Sequence, residues 1–358
     1  MDKPKFAIVG AGNGGQSMAA HLKLMGFEVS LYDIEEAKVS ALKAAGKIEV
    51  SGAVSGEAVI DLVTGDLGQA IMGKDLIMMV LPSVFQASIA KIMAPFIEDG
   101  QIIILCVAAT GGALEVRKVI REAGCRSQFI IAETDNLVYA CRSPKAGEAI
   151  IYGIKDRINL AALPSSDTSK VLSLLNTAFP QYKAVPNVLY TSLNNINAMV
   201  HPAPTVLNAA RIECKSSFEY YTEGITERVA AVCEKIDAER LAIAQAFGIK
   251  IPSVQDFYRN SYGVDRPSLH EQLLEVEPYR GIKGPTTIAN RYLFEDLPTG
   301  LVPLSCLGKA IGVKTPAIDS VVELGSILLG KNFREEGRTL EKLGLADKNA
   351  DEIRASMS

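Results

Sequence analysis

A glycine-rich turn near the start of the chain constrains the fold more than any other feature of the sequence. Gly10, Gly12 and Gly15 form a G-x-G-x-x-G motif within "AIVGAGNGGQSMAAHLKLMGFEVSLYDI". A short apolar run, "KFAIVG", precedes the motif, and apolar residues at helical spacing follow it. A second strand-like run, "FEVSLYD", comes next. The order strand, glycine turn, helix, strand predicts a βαβ unit with parallel strands.

Three further apolar runs continue this alternation, at residues 75–82, 101–108 and 128–134. Near-continuous apolar strands are typical of a parallel sheet that helices cover on both faces. We therefore predict that residues 1–185 form a doubly wound, parallel α/β domain of the Rossmann type.

The pattern changes after "AVPNVLY", because no strand-length run bounded by turns follows. The clearest helix is predicted at 226–248, where an apolar stripe ends at Gly248, the residue type that favours a helix C-terminus. The sequence thus predicts an all-helical second domain over residues 186–358.

Composition excludes several classes of protein. Hydrophobic residues make up 48% of the chain and charged residues 22%, which is typical of a globular protein and not of a disordered one. The net charge of −4 comes with no basic run, so we predict no nucleic-acid partner. No apolar run has the length of a membrane span, and no cysteines have metal-site spacing. We expect a soluble, cytoplasmic protein without a membrane partner or a bound metal.

The glycine motif predicts a dinucleotide site, because its glycines permit a tight turn and a close approach of the backbone to a pyrophosphate. We assign Gly10, Gly12, Asn13, Gly14 and Gly15 to this site.

Asp33 ends the second strand, near the ~20-residue offset at which an acid bonds the adenosine ribose. Its carboxylate would repel a 2′-phosphate, so NAD is the predicted cofactor, with NADH preferred over NADPH. The alternative is that Asp33 only caps the next helix. FAD-binding domains share the motif, and "AATGGA" at 108–113 either helps to bind the ligand or only makes a turn.

Hydride transfer to a carbonyl or imine carbon needs a proton donor, and histidine suits that task near neutral pH. The sequence has three histidines, of which His21 and His270 lie in unremarkable helical or polar segments. His201 is followed by Pro202 and Pro204, which end or kink a helix and often help to shape a cavity. A structural histidine at a broken helix is the alternative.

A histidine that shuttles a proton works better with a carboxylate partner, and spacing alone does not identify one. "NRYLFEDLPTG" at 290–300 offers Arg291, Glu295 and Asp296 among aromatic residues. This mixture indicates a partly buried polar cluster, although solvated loop charges would give the same pattern.

The motifs "VGAGNGGQSMAAHL", "SLNNINAMVHPAPTVLNAARIE", "GITERVAAVCEKIDAERLAIAQAFG" and "RYLFEDLPTGLVPLSCLGKAIGVKTPAIDSVVELG" together resemble the octopine/nopaline (opine) dehydrogenase family. The likeness covers nearly the whole chain. It implies a Rossmann domain followed by an all-helical domain like that of 6-phosphogluconate dehydrogenase, with the active site in a cleft between the two. It also implies NADH-dependent condensation of an amino acid with a 2-oxo acid such as pyruvate.

The same resemblance implies roles for four residues, and the sequence departs from the family at none of them. His201 matches the catalytic histidine and Asp296 its carboxylate partner, while Asn197 and Arg291 match substrate-binding residues. The residues that select the amino-acid side chain are not identified. Oligomeric state is not given either, and a homodimer stays a hypothesis.

Two other functions remain open. A 2-hydroxy-acid or sugar-phosphate dehydrogenase of similar build would need no amine. A non-catalytic NAD-binding redox sensor would instead use the helical domain to bind a partner.

Overall fold

The computed structural model describes residues 3–358. The strands are β1 Phe6–Val9, β2 Val29–Tyr32, β3 Ile48–Gly52, β4 Gly56–Ala58, β5 Leu62–Thr64, β6 Leu76–Met79, β7 Ile102–Leu105, β8 Ile130–Thr134, β9 Tyr139–Arg142, β10 Glu148–Ile154, β11 Ile158–Leu163 and β12 Tyr182–Ala184. The first helices are α1 Asn13–Leu24, α2 Glu36–Ala45, α3 Leu67–Ile71, α4 Gln86–Met93, α5 Gly112–Glu122 and α6 Thr168–Leu175.

The remaining elements are helical. They are α7 Val188–Leu193, α8 Asn197–Val200, α9 Pro202–Leu207, α10 Ala209–Glu213, α11 Glu227–Ala246, α12 Val254–Tyr262, α13 Leu269–Glu275, α14 Arg291–Phe294, α15 Val302–Ala310, α16 Pro316–Leu329, α17 Phe333–Glu336, α18 Leu340–Leu343 and α19 Ala350–Ser356. A π-helical turn, Leu297–Leu301, joins α15 at its start.

The main sheet has the strand order β12-β11-β8-β7-β6-β1-β2-β5. Strand β1 lies between β2 and β6 and is parallel to both. Its four residues are fully buried, as an inner strand covered on both faces requires. The strand order reverses beside β1, which makes its carboxyl end the topological switch point where ligands bind in open α/β sheets.

Two features of the first domain differ from the predicted all-parallel sheet. Strand β11 runs antiparallel to β8, so the main sheet is mixed. Strands β4, β3, β10 and β9 form a second sheet beside α1. This sheet depends on the pairing of β3 with β10, which are distant in sequence, so local periodicity does not predict it.

Helix α11 runs through the helical part of the chain and ends as predicted, since Gly248 follows it at a φ of +73°. Cys233, Ile236 and Ile243 of the predicted stripe are buried. The same helix also buries Arg240, which the apolar pattern does not predict.

The buried charged side chains of α11 have hydrogen-bond partners. The Arg240 guanidinium donates to Asp237 Oδ1 from Nε at 2.8 Å and to the carbonyl oxygen of Leu193 from Nη1 at 2.7 Å. Glu239 accepts the N–H groups of Ala317 and Ile318 at 2.9 and 3.0 Å, at the start of α16. A carboxylate there satisfies unpaired N–H groups and opposes the positive end of the helix dipole.

By packing, the chain divides into two compact units. The first contains the described residues up to Ala108, Gly112–Thr191 and Met357–Ser358, and the second contains Ala109–Gly111 and Ser192–Ser356. The main boundary between these units lies between Thr191 and Ser192, and three residues after β7 belong to the second unit. Within residues 3–358, no helix has the length and apolar character that a membrane span needs.

Candidate active site

The glycine turn joins β1 to α1, and each glycine of the motif has a distinct reason to lack a side chain. Gly10 has a φ of +107°, and a Cβ there would lie 2.5 Å from the carbonyl oxygen of Val80. A Cβ at Gly15 would lie 1.7 Å from the carbonyl oxygen of Gly10. A Cβ at Gly12 would meet no atom within 4 Å, so the space beside this residue is open. Gly10 and Gly15 thus shape the turn, and Gly12 leaves room for a close ligand.

Asp33 is buried beside this turn, and its carboxylate has three partners. Oδ2 accepts the N–H of Ala11 at 2.8 Å, and Oδ1 accepts the N–H of Glu35 at 3.0 Å. Lys38 forms an ion pair with Oδ2 at 3.1 Å. Asp33 therefore links the glycine turn to Glu35, the residue before α2. Its bond to the ribose stays a prediction.

Asn13 and Gly14, which lie between the motif glycines Gly12 and Gly15, also lie close to residues outside the turn. The side-chain oxygen of Asn13 accepts the N–H of Ser143, in the loop between β9 and β10, at 2.9 Å. A Cβ at Gly14 would meet Val80 and Leu137 side-chain atoms at 2.9 and 3.0 Å. The second sheet thus holds the turn from the side, which the glycine motif alone does not predict.

Residues of the segment at 108–113 form hydrogen bonds within each of the two units. Glu133 Oε2 accepts the N–H of Ala113 at 2.8 Å, in the first turn of α5, where an anionic ligand would otherwise bind. The Gly111 N–H donates to Ser192 Oγ at 3.0 Å, and the Thr110 N–H donates to the carbonyl oxygen of Thr299 at 3.0 Å. These contacts favour the interpretation of Gly111 and Gly112 as turn residues.

His201 lies at the break between α8 and α9, as the two following prolines predict. Its φ and ψ are −104° and −56°, and its N–H donates to the carbonyl oxygen of Asn197 at 3.0 Å. The Thr205 hydroxyl donates to the His201 carbonyl oxygen at 2.8 Å, and the Tyr220 hydroxyl donates to the same atom at 2.6 Å. Two hydroxyl side chains therefore support the backbone at the break.

The imidazole of His201 has a partner at each nitrogen. Nδ1 lies 2.8 Å from Asp296 Oδ2, and Nε2 lies 3.1 Å from the Tyr221 hydroxyl. Tyr292 stacks on the ring, with centroids 4.3 Å apart and an interplanar angle of 27°. These contacts fix the position and the tilt of a ring whose side chain is 13% exposed.

Asp296 is 5% exposed, at the start of the π-helical turn. Burial raises the pKa of this carboxyl above its ordinary value, and the neighbouring His201 opposes that rise because an imidazolium favours the carboxylate. A histidine and a buried carboxylate in this arrangement form a unit that can accept and return one proton.

Asn197 lies four residues before His201 in the sequence, and Arg291 lies five residues before Asp296. Both residues are exposed. Asn197 begins α8, one turn before His201. Arg291 begins α14, its side chain is 70% exposed, and its Nε donates to Glu295. The exposed guanidinium is thus oriented by a neighbouring carboxylate, and its outer edge faces solvent.

The other two histidines have structural partners. His21 Nδ1 lies 2.9 Å from the Tyr139 hydroxyl, and burial lowers the pKa of this imidazole. His270 is half-buried, and its Nδ1 lies 2.8 Å from the carbonyl oxygen of Ile225. In the part of the chain from residue 3 onward, no three His, Cys, Asp or Glu side chains are grouped to hold a metal ion.

Sequence reasoning missed several residues of this site. Tyr221 and Tyr292 contact the His201 ring, Glu295 orients Arg291, and Lys38 pairs with Asp33. The sequence shows two adjacent tyrosines in "FEYYTEG". Nothing in this segment distinguishes a tyrosine that contacts the site from one that only packs in the core.

Comparison with protein families gives two matches. The family described as "NAD/NADP octopine/nopaline dehydrogenase, alpha-helical domain" matches residues 184–329. "NAD-dependent glycerol-3-phosphate dehydrogenase N-terminus" matches residues 5–123.

Among curated proteins, an opine dehydrogenase of Arthrobacter sp. (strain 1C) is 45% identical over 358 residues, covering 100% of this chain and 99% of the relative. Protein ocs of Agrobacterium vitis is 28% identical and covers 98% of each chain. A solved octopine dehydrogenase in complex with NADH and agmatine has a TM-score of 0.83 at 18% identity, covering 99% of both chains, which shows the same fold.

Proposed function

The chain belongs to the opine dehydrogenase family of NAD-dependent oxidoreductases, and we propose that it joins an amino acid to a 2-oxo acid such as pyruvate by reductive condensation. The product is an N-(carboxyalkyl) amino acid, and the reverse reaction is its oxidation. The observation that carries this proposal is the hydrogen-bonded His201–Asp296 pair, whose Nδ1 and Oδ2 atoms lie 2.8 Å apart in the helical unit.

The residues at the glycine turn fit a nicotinamide dinucleotide. Open space beside Gly12 and the N-terminus of α1 suit a pyrophosphate, because the first N–H groups of a helix lack partners within the helix and attract an anion. The Asp33 carboxylate suits the ribose hydroxyls and disfavours a 2′-phosphate, so we assign NADH as the preferred reductant. Bound at this turn, the cofactor supplies the hydride that reduces the imine carbon.

The residues of the helical unit act on the proton and on the substrate's charge. Arg291 offers a planar guanidinium, which binds a carboxylate through two parallel hydrogen bonds. Asn197 orients the reacting polar atoms from the start of α8. His201 moves the proton at the amine nitrogen or at the departing oxygen, and Asp296 holds the ring and stabilises its cation.

Both substrates are small, and both carry a carboxylate. A structure of octopine dehydrogenase with NADH and L-arginine and another with NADH and pyruvate have been solved at 18% and 19% identity to this chain. We extend the substrate class, an amino acid plus a 2-oxo acid, to this protein. A cytoplasmic location and a homodimer stay predictions from the sequence.

One assay tests the proposal directly. NADH oxidation is followed at fixed enzyme concentration with pyruvate alone, and then with pyruvate plus each common amino acid in turn. We expect turnover to require an amino acid, and we expect NADPH to support less of it. Equal rates with pyruvate alone would instead indicate a 2-hydroxy-acid dehydrogenase and would overturn the proposal.

A further inference from the structure

Nε2 of His201 is occupied by a phenol that the proposed mechanism does not use. Asp296 holds Nδ1, so a substrate atom that exchanges a proton with this ring must do so at Nε2. In the structure the Tyr221 hydroxyl lies 3.1 Å from that nitrogen. We propose that Tyr221 is a positioning residue, which fixes the direction of Nε2 before the substrate binds. This inference rests on the proposed function.

The packing around Tyr221 gives its hydroxyl a fixed place. Tyr221 is 6% exposed. Tyr279 stacks on one face with centroids 4.0 Å apart, and Tyr220 meets it edge-on at 5.1 Å. A tyrosine held between two aromatic rings loses little further freedom when its hydroxyl forms a hydrogen bond.

Tyr220 and Tyr221 together hold His201 at both ends. The Tyr220 hydroxyl donates to the His201 carbonyl oxygen at 2.6 Å, and the Tyr221 hydroxyl reaches the ring. One dipeptide thus fixes the backbone and the side chain of the same residue. A tyrosine that only filled the core could bond any nearby acceptor, so its hydroxyl would not have to contact the His201 ring.

The hydroxyl can serve both protonation states of the ring. With Asp296 ionised and accepting the Nδ1 proton, the neutral ring presents a lone pair at Nε2, and the Tyr221 O–H donates to it. When the ring is protonated, Nε2–H donates to the same oxygen. Burial raises the pKa of Tyr221 well above its ordinary value, so the phenol keeps its own proton. The hydroxyl therefore holds the ring in one orientation in either protonation state until a substrate atom takes its place at Nε2, which preserves the geometry that the reaction needs.

Tyr221→Phe tests this role, because it keeps the aromatic stack and removes the hydroxyl alone. Tyr262→Phe is the matched control: Tyr262 lies in the same aromatic cluster, edge-on to Tyr279, and makes no contact with His201 in the described structure. With NADH, pyruvate and the best amino acid, we expect kcat to fall about tenfold in Tyr221→Phe, with NADH binding unchanged. Tyr262→Phe should keep wild-type kcat. A kcat in Tyr221→Phe within twofold of wild type would overturn the proposal.

A spectroscopic measurement separates positioning from general loss of structure. The chain has three histidines, so ¹⁵N labelling of histidine gives few side-chain signals, and His201→Ala assigns the one needed. We expect the Nε2 resonance of His201 to move in Tyr221→Phe from a hydrogen-bonded to a free position. The His21 and His270 signals should stay in place. An unmoved Nε2 resonance would contradict the role.

A further NMR measurement on the unmodified protein depends neither on the folding of a variant nor on turnover. The Tyr221 hydroxyl proton should be protected from solvent exchange and correlated with His201 Nε2 in the free enzyme. Absence of that correlation overturns the inference about Tyr221. Absence of turnover with every amino acid and 2-oxo acid overturns the proposed function instead, so the two failures are distinguishable.

Discussion

Nδ1 of His201 lies 2.8 Å from Oδ2 of Asp296, although 95 residues separate the two along the chain. One residue lies at a proline-induced break between two short helices, and the other begins a π-helical turn. Irregular backbone at both positions brings the two side chains together.

The first prediction concerns this pair. His201→Ala should lower kcat by roughly 10²–10⁴, the usual contribution of general acid–base catalysis, and should leave NADH binding intact. Asp296→Asn should also lose activity, because an amide offers no charge and can stabilise the wrong tautomer. Steady-state kinetics and NADH fluorescence titration measure the two quantities.

The double variant and a control complete that experiment. Residues that act as a unit are non-additive, so His201→Ala with Asp296→Asn should be little worse than His201→Ala alone. His270→Ala removes a histidine of the same unit whose ring bonds a backbone carbonyl, and its activity should stay near wild type. Fully additive losses would show that His201 and Asp296 work independently.

Arg291 supports a prediction about substrate charge. Arg291→Lys keeps the positive charge but loses the planar pair of donors that matches a carboxylate. We expect kcat/KM for the 2-oxo acid to fall about tenfold or more, from the loss of one charge-assisted contact. Arg334→Lys, at another exposed arginine, which is paired with Asp319, should change little. An equal loss with an uncharged ketone would show that Arg291 is structural.

Asp33 and Lys38 together predict how the cofactor preference can be altered. Asp33→Ala removes the carboxylate that disfavours a 2′-phosphate and leaves Lys38 without this partner beside the ribose site. The ratio of kcat/KM with NADPH to that with NADH should rise about tenfold to a hundredfold. Adding Lys38→Met should remove part of that gain. Equal use of both cofactors by the unmodified enzyme would contradict the assignment of Asp33.

Lys155 gives a prediction about pH and stability. Burial lowers the pKa of its amine to about 8, and its Nζ donates to Asn136 Oδ1 at 2.6 Å. In the unfolded chain the amine titrates near its ordinary value, so between pH 8 and about 10.5 the unfolded state binds more protons. This lysine therefore penalises folding below pH 8, and the penalty is relieved as pH rises through that window.

The corresponding variant is Lys155→Met. From pH 7.5 to 10 the wild type should gain stability relative to Lys155→Met, by up to about 3 kcal/mol from this one group. Thermal unfolding of both proteins across that range measures the difference. Lys91→Met, at an exposed lysine, should show no such gain over the same range. A constant difference between wild type and Lys155→Met would refute the prediction.

Local patterns in the sequence determined much of this protein. The glycine motif, the apolar strand runs and Gly248 each act through backbone geometry or burial within a few residues, and each lies where the pattern predicts. The break at His201 also follows from two prolines next to it, because a proline removes a helical N–H wherever it occurs. Family resemblance then indicated the roles of His201 and Asp296, which composition and spacing alone left open.

Tertiary structure decided the rest, because those features depend on residues that are distant in sequence. The second sheet pairs β3 with β10, about a hundred residues later in the chain. Arg240 is buried because Asp237 and two backbone carbonyls surround its guanidinium, although an arginine in a helix usually indicates a solvated face. The hydroxyl of Tyr221 reaches His201 only when the chain has folded back on itself. The sequence determined which helices and strands form, and packing determined which side chains meet, since the free energy of a contact depends on both partners being in place.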